Sequence, residues 1–226
     1  MGFPYGLNNR GQVIGTSNLA GDLGPTHPFL WDRGSLIDLG TFGGNYGYAM
    51  GINDAGEVVG IATNQNDQAL LAFLWKDGAM TNIGTLNGDD CSAAAQINSK
   101  GQIVGSSFPC VSGPDGPARG FLWQNGLMTD LNAFVPSGSS LTLVNAGFIN
   151  DRGEIAGLGM LPDGNTHVVL LAPCGEGTDG CLEAVEGAAA TPTIASRSAA
   201  TRTTSIRWRL TPAAMVAAWR ARLAPQ

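Results

Sequence analysis

One ten-residue pattern occurs four times in this chain, and no other feature restricts the fold as much. GLNNRGQVIG runs from 6 to 15, GINDAGEVVG from 51 to 60, QINSKGQIVG from 96 to 105 and FINDRGEIAG from 148 to 157. Their asparagines, Asn8, Asn53, Asn98 and Asn150, step by 45, 45 and 52 residues. A fixed period of this size marks an array of one supersecondary unit, whose hydrophobic faces are buried only by stacking on neighbours. A second pattern keeps step with the first: PFLWDRGSLIDLGTFGG from Pro28, AFLWKDGAMTNIGTLNG from Ala72 and GFLWQNGLMTDLNAF from Gly120. The fourth copy carries HVVLLAPC, from His167, in its place.

Each copy reads as four short strands. The first ends on the Ile-Asn or Leu-Asn pair, and the second is the Val/Ile-rich run that follows. Between them lie Asn8 to Gly11, Asn53 to Gly56, Asn98 to Gly101 and Asn150 to Gly153. In such a turn asparagine hydrogen-bonds its own backbone and glycine takes a positive φ at no steric cost. The third strand, Phe-Leu-Trp, is apolar at consecutive positions, which suits a strand covered on both faces. A short Asp-Gly or Asn-Gly turn leads to the fourth strand, expected over Ala79 to Leu86 in the second copy. Four strands per 45 residues is the spacing of a β-propeller blade, so the fold class is all-β, a propeller-like array of about 3.5 copies. A β-solenoid is the rival, but its coils repeat at shorter periods and need no paired hairpins. The inter-blade core is placed at Trp31, Phe73, Trp75, Phe121 and Trp123, where a repeated aromatic packs between sheets more readily than it displays a sugar platform.

These motifs together resemble the HAF-repeat family of extracellular bacterial proteins. The resemblance covers residues 6 to about 181 and rests on IN-x-x-G-x-V/I-V/I-G, then A/G-F-L-W, then D-L-G-T-L/F-G-G. Pro28 and Gly120 replace the usual alanine before Phe-Leu-Trp, and the family's histidine is present only as His27. The resemblance implies an exported repeat protein and brings no defined molecular activity with it.

The four cysteines fall between strands, at Cys91, Cys110, Cys174 and Cys181. None forms a Cys-x-x-Cys pair, which weakens a zinc site. In an up-and-down blade, the link entering the first strand and the link between the second and third emerge at the same end. Cys91 lies on the former and Cys110 on the latter, so a Cys91–Cys110 bridge is expected, with a second joining Cys174 to Cys181. Bridges point to an oxidising compartment. The amino end has no export signal and opens inside a first strand, so the chain reads as a fragment whose upstream blades and signal lie outside it.

Charge argues against a nucleic-acid partner. Sixteen acidic side chains face six basic ones through residue 181, and two face six beyond it, giving −10 and +4. No run is long and apolar enough for a transmembrane helix. Asn53-Asp54, Asn150-Asp151 and Asp89-Asp90 are the nearest approaches to calcium ligands, but they lack the alternating oxygens and late glutamate of a binding loop. Glu57 and Glu154 occupy the position held by Gln12 and Gln102, a pattern of polar strand ends and not of an acid/base pair. No Gly-x-Ser-x-Gly motif occurs, and no cofactor motif. The expectation is a non-enzymatic structural or protein-interaction module of the cell exterior, with a glycan-binding propeller as the alternative and a glycoside hydrolase behind it. Its partner is an unspecified protein or glycan, and unpaired strand edges could also join two copies. From residue 182 an Ala/Thr/Arg-rich tail follows. Within it 212–223 is a short helix candidate bearing Met215, Val216, Trp219 and Leu223 on one side, flanked by Arg220 and Arg222.

Overall fold

The computed structural model describes residues 2–18, 24–110, 118–135, 138–173 and the backbone of 185–186. The chain divides into two units, Met1–Glu186 and Gly187–Gln226. Cys174, Cys181, the tail and the helix candidate at 212–223 all lie outside the described residues.

Four antiparallel sheets follow one another along the chain. The first holds β1 (Gly2–Leu7), β2 (Val13–Asn18), β3 (Thr26–Asp32) and β4 (Ser35–Asp38). The second holds β5 (Gly43–Ile52), β6 (Val58–Asn64), β7 (Leu70–Lys76) and β8 (Ala79–Asn82). The third holds β9 (Cys91–Ile97), β10 (Ile103–Phe108), β11 (Arg119–Gln124) and β12 (Leu127–Asp130). The fourth holds β13 (Thr142–Ile149), β14 (Ile155–Met160), β15 (Thr166–Leu171) and β16 (Val185–Glu186). Every sheet has the meander order 1-2-3-4, and the first two touch edgewise where Thr26 pairs in parallel with Tyr46. The architecture is therefore the expected all-β, propeller-like array.

Two boundaries differ from the sequence reading. β8 stops at Asn82, not Leu86, because the Asn82 side chain accepts from the Gly84 amide and Gly84 turns the chain with φ +89°. The fourth copy, counted as half a copy in the sequence, has a last strand in the two-residue β16, with Val169 opposite Glu186 and Leu170 opposite Val185.

Three apolar layers lie between successive sheets. Ile14, Leu30 and Leu39 meet Ala49, Val58 and Phe73 in the first layer. Val59, Ala72 and Leu86 meet Ile97, Ile103 and Phe121 in the second, and Val104 and Leu131 meet Ile149, Ile155 and Val169 in the third. Phe-Leu-Trp is divided between layers by the two-residue side-chain period. Phe73 and Trp75 pack toward the preceding sheet while Leu74 packs toward the following one, and Phe121, Trp123 and Leu122 repeat this. Phe73 and Phe121 are fully buried. Trp31 is a correction to the expected core: it is 39% exposed. Its face of the first sheet looks away from the second, where among the described residues no earlier sheet covers it.

Candidate functional site

The glycine that closes the ten-residue pattern in each of the first three copies has a packing role that its motif did not disclose. A Cβ on Gly60 would collide with the Tyr48 carbonyl and lie 3.0 Å from the Phe73 ring. Gly105 stands in the same relation to the Ala93 carbonyl and Phe121, and Gly15 to the Phe3 carbonyl and Phe29. The opposing first strand is bulged near this point in each sheet, bringing its carbonyl inward. Only a residue without a side chain leaves room for both the bulge and the phenylalanine.

The Asn-x-x-Gly turns assemble into one continuous structure. Asn53 Oδ1 accepts from the amides of Ala55 (3.1 Å) and Glu57 (3.0 Å), while the Gly56 amide donates to the Asn53 carbonyl (3.0 Å). Gly11, Gly56, Gly101 and Gly153 all have positive φ, between 73° and 87°. The asparagine amide then reaches into the next copy. Asn8 Nδ2 donates to the Asn53 carbonyl at 3.0 Å, Asn53 to Asn98 at 3.1 Å, and Asn98 to Asn150 at 3.0 Å. Asn8, Asn53 and Asn98 are buried despite their polarity, which fits their satisfied hydrogen bonds. The turns are visible in the sequence as turns. The ladder is not, because its partners lie 45 or 52 residues apart and meet only once the sheets stack.

The acidic side chains considered for chemistry are committed to this framework. Asp54 accepts from the Asn9 side chain (2.7 Å) and amide (2.9 Å), and those bonds hold its carboxyl below the ordinary aspartate range. The Ser99 amide does the same for Asp151 at 2.8 Å. Asp89 pairs with Arg119 at 2.8 Å, and Asp90 accepts from the Cys110 amide. For Glu57, burial raises the pKa, but hydrogen bonds from Lys76 (2.8 Å) and Asn53 (2.6 Å) outweigh it and the carboxyl sits low. Glu154 is lowered by Arg152 and then by Asn150. Glu57 and Glu154 belong to the second and fourth sheets, each engaged with its own turn. Sequence reasoning missed Arg119, which also bonds Asp130 (3.0 Å) and the Asn87 carbonyl (2.8 Å). Nothing in the spacing of those residues marks them as partners.

Cys91 and Cys110 form a disulfide, with their Cα atoms 5.2 Å apart. Cys91 is fully buried at the start of β9, opposite Phe108, and Cys110 lies two residues beyond the end of β10. With Asp90 these sulfurs are the group of metal-type ligands that come together among the described residues. The two sulfurs are bonded to each other, so neither is a thiolate donor.

What the framework presents outward is a comb of four turns. Asn9 and Arg10, Asp54 and Ala55, Ser99 and Lys100, and Asp151 and Arg152 are exposed at the tips. Their spacing is fixed by the buried ladder beneath and by Asp54 and Asp151 bracing the preceding turn. A row of exposed tips on a rigid base can contact an extended surface.

No family model matches the chain, and no curated protein matches it. Among solved structures it is similar to Pyrococcus horikoshii acylaminoacyl peptidase, at 13% identity and a TM-score of 0.48, over 75% of this chain and 25% of that one. It is also similar to the β-propeller domain of the Trilobed protease from Pyrococcus furiosus, at 9% identity and a TM-score of 0.48, over 74% of this chain and 51% of that one. This chain thus spans between a quarter and about half of those chains. The expectation of a non-enzymatic protein is corrected here: both neighbours come from peptidases, so the fold does not set the chain apart from enzymes. Likeness at this level carries no activity across.

Proposed function

We propose that this protein is a HAF-type repeat module of the bacterial cell exterior that binds a protein partner through its comb of turns. The observation that carries this reading is the asparagine ladder, which holds four exposed turns in register. The Cys91–Cys110 bridge is compatible with an oxidising location. The acidic side chains of the turns brace neighbouring copies, so recognition falls to the tips around Arg10, Lys100 and Arg152. A glycan-binding reading needs exposed aromatics with polar neighbours on one rim, and the comb has none.

Binding of the labelled chain to intact cells of the source bacterium tests the proposal. Mild protease treatment of the cells should abolish binding, and replacing Arg10, Lys100 and Arg152 together by alanine should weaken it at least tenfold while circular dichroism shows the chain still folded. Binding that survives protease, together with signal on a glycan array, would favour the lectin alternative. Recovery of the native protein only from the cytoplasm with Cys91 and Cys110 reduced would refute the exterior location.

A further inference from the structure

We propose that the outer faces of the first and fourth sheets are the two halves of one more inter-sheet junction, and that a second copy of this chain completes it head to tail. The inference goes beyond the comb and does not depend on what the comb binds.

At the first two internal junctions one row of four side chains, one from each strand, faces the preceding sheet. Cross-strand pairing aligns Ile52, Val58, Trp75 and Met80 in the second sheet, and Ile97, Ile103, Trp123 and Met128 in the third. All eight belong to the layers or pack against them. The same register aligns Leu7, Val13, Trp31 and Leu36 in the first sheet. There Leu7 is 73% exposed and Leu36 63%.

The far end lacks the opposite half. Leu30, Leu74 and Leu122 pack toward the following sheet in the first three copies. Register places Leu170 at the same position in the fourth, where it is 48% exposed, and Phe148, Met160 and Val168 are exposed on the same face. Contiguous apolar patches of this kind mark interaction sites. Each end displays the surface that the other end's counterparts bury inside the array, so a second copy supplies the matching half at the matching register. The ladder has the same polarity. Asn8 is its first donor and the Asn150 carbonyl its last acceptor, so a second copy's Asn8 carbonyl falls where the Asn150 side-chain amide, which here donates to Glu154, would meet its next acceptor.

The contact is heterologous, with different surfaces on the two copies. It closes if the rotation between copies permits and otherwise propagates as a filament. Two copies closing on each other make eight sheets, within the range of propeller rings.

Sedimentation of the full chain across a concentration series provides the test. The wild-type protein should shift from monomer to dimer or larger species. Leu7→Glu with Leu36→Glu, and separately Val168→Glu with Leu170→Glu, should each be monomeric, whereas an equimolar mixture of the two variants should recover a dimer. Recovery on mixing is the signature, because each variant keeps the half that the other has lost. A wild-type chain that stays monomeric to its solubility limit overturns the proposal. So does self-association that persists in either variant alone, or a mixture that does not recover. Circular dichroism checks that the variants fold. Independently, a photo-crosslinker at position 36 should capture the peptide containing Val168 from an isotopically labelled copy, and capture confined to one chain would also refute the contact.

Discussion

At the scale of single residues, the asparagine and glycine positions do different work from what their local motif announces. The Asn53 side chain makes four hydrogen bonds, three inside its own turn and one to the next copy, and the residue is buried. Asn53→Ala leaves main-chain groups unsatisfied on both sides of a junction and should cost about 2 to 4 kcal/mol. Asn150→Ala removes contacts from an exposed turn with no described successor and should cost less, an ordering that urea denaturation of the two variants would read. Gly60→Ala should be at least as damaging as Asn53→Ala, about 3 kcal/mol or more, because backbone and an aromatic ring occupy the space. The turn was legible in the sequence, since Asn and Gly at that separation have local reasons to be there. The inter-copy bond and the glycine's close approach were not, since both depend on strands that the sequence places far apart.

At the scale of elements, the same tripeptide has different burial according to what covers its sheet. Trp75 and Trp31 follow identical Phe-Leu pairs, yet Trp75 packs into a layer and Trp31 is exposed. Trp75→Ala should therefore cost about 3 kcal/mol and Trp31→Ala under about 1 kcal/mol in the monomer, measured as shifts in the denaturation midpoint. Equal losses would mean that Trp31 is covered too. Reading the motif correctly predicted a strand buried on two sides, and it failed for the first copy only because burial belongs to the neighbour and not to the strand. The disulfide is an element-scale feature as well, tying the start of β9 to the end of β10. It was legible because up-and-down connectivity alone brings those two links together. Serine at both Cys91 and Cys110 should lower stability by about 2 to 4 kcal/mol in the chain-entropy account, and reduction of the unmodified protein should do the same. An unchanged midpoint after confirmed reduction would show that neighbouring packing already holds the two links.

At the scale of the whole molecule, the repeat joins carboxylates to turns along the array, and this gives its stability a definite dependence on pH. Asp54 and Asp151 are held low by bonds from the preceding turn. In Glu57 and Asp67, burial raises the pKa, but hydrogen bonds from Lys76 and Asn53, and from Thr63 and Asn45, more than reverse it. All four carboxyls are depressed from ordinary values of 3.8 for aspartate and 4.5 for glutamate. A depressed pKa means that the unfolded chain binds protons first as pH falls, so the contribution is complete above the unfolded values and is lost on descending through the folded ones. The melting temperature should accordingly be level from neutrality down to about pH 5 and then fall progressively below the range of 3.8 to 4.5. Because Asp54 and Asp151 bond to uncharged groups in the preceding copy, their share should persist in high salt, which screens the exposed Arg152–Glu154 pair but not a hydrogen bond to an amide. Replacing both by asparagine should flatten the acid limb of the curve while lowering the plateau at neutral pH. A plateau that stays at the wild-type height would mean that the turns keep their register without these acids, leaving the buried asparagines to align the sheets alone.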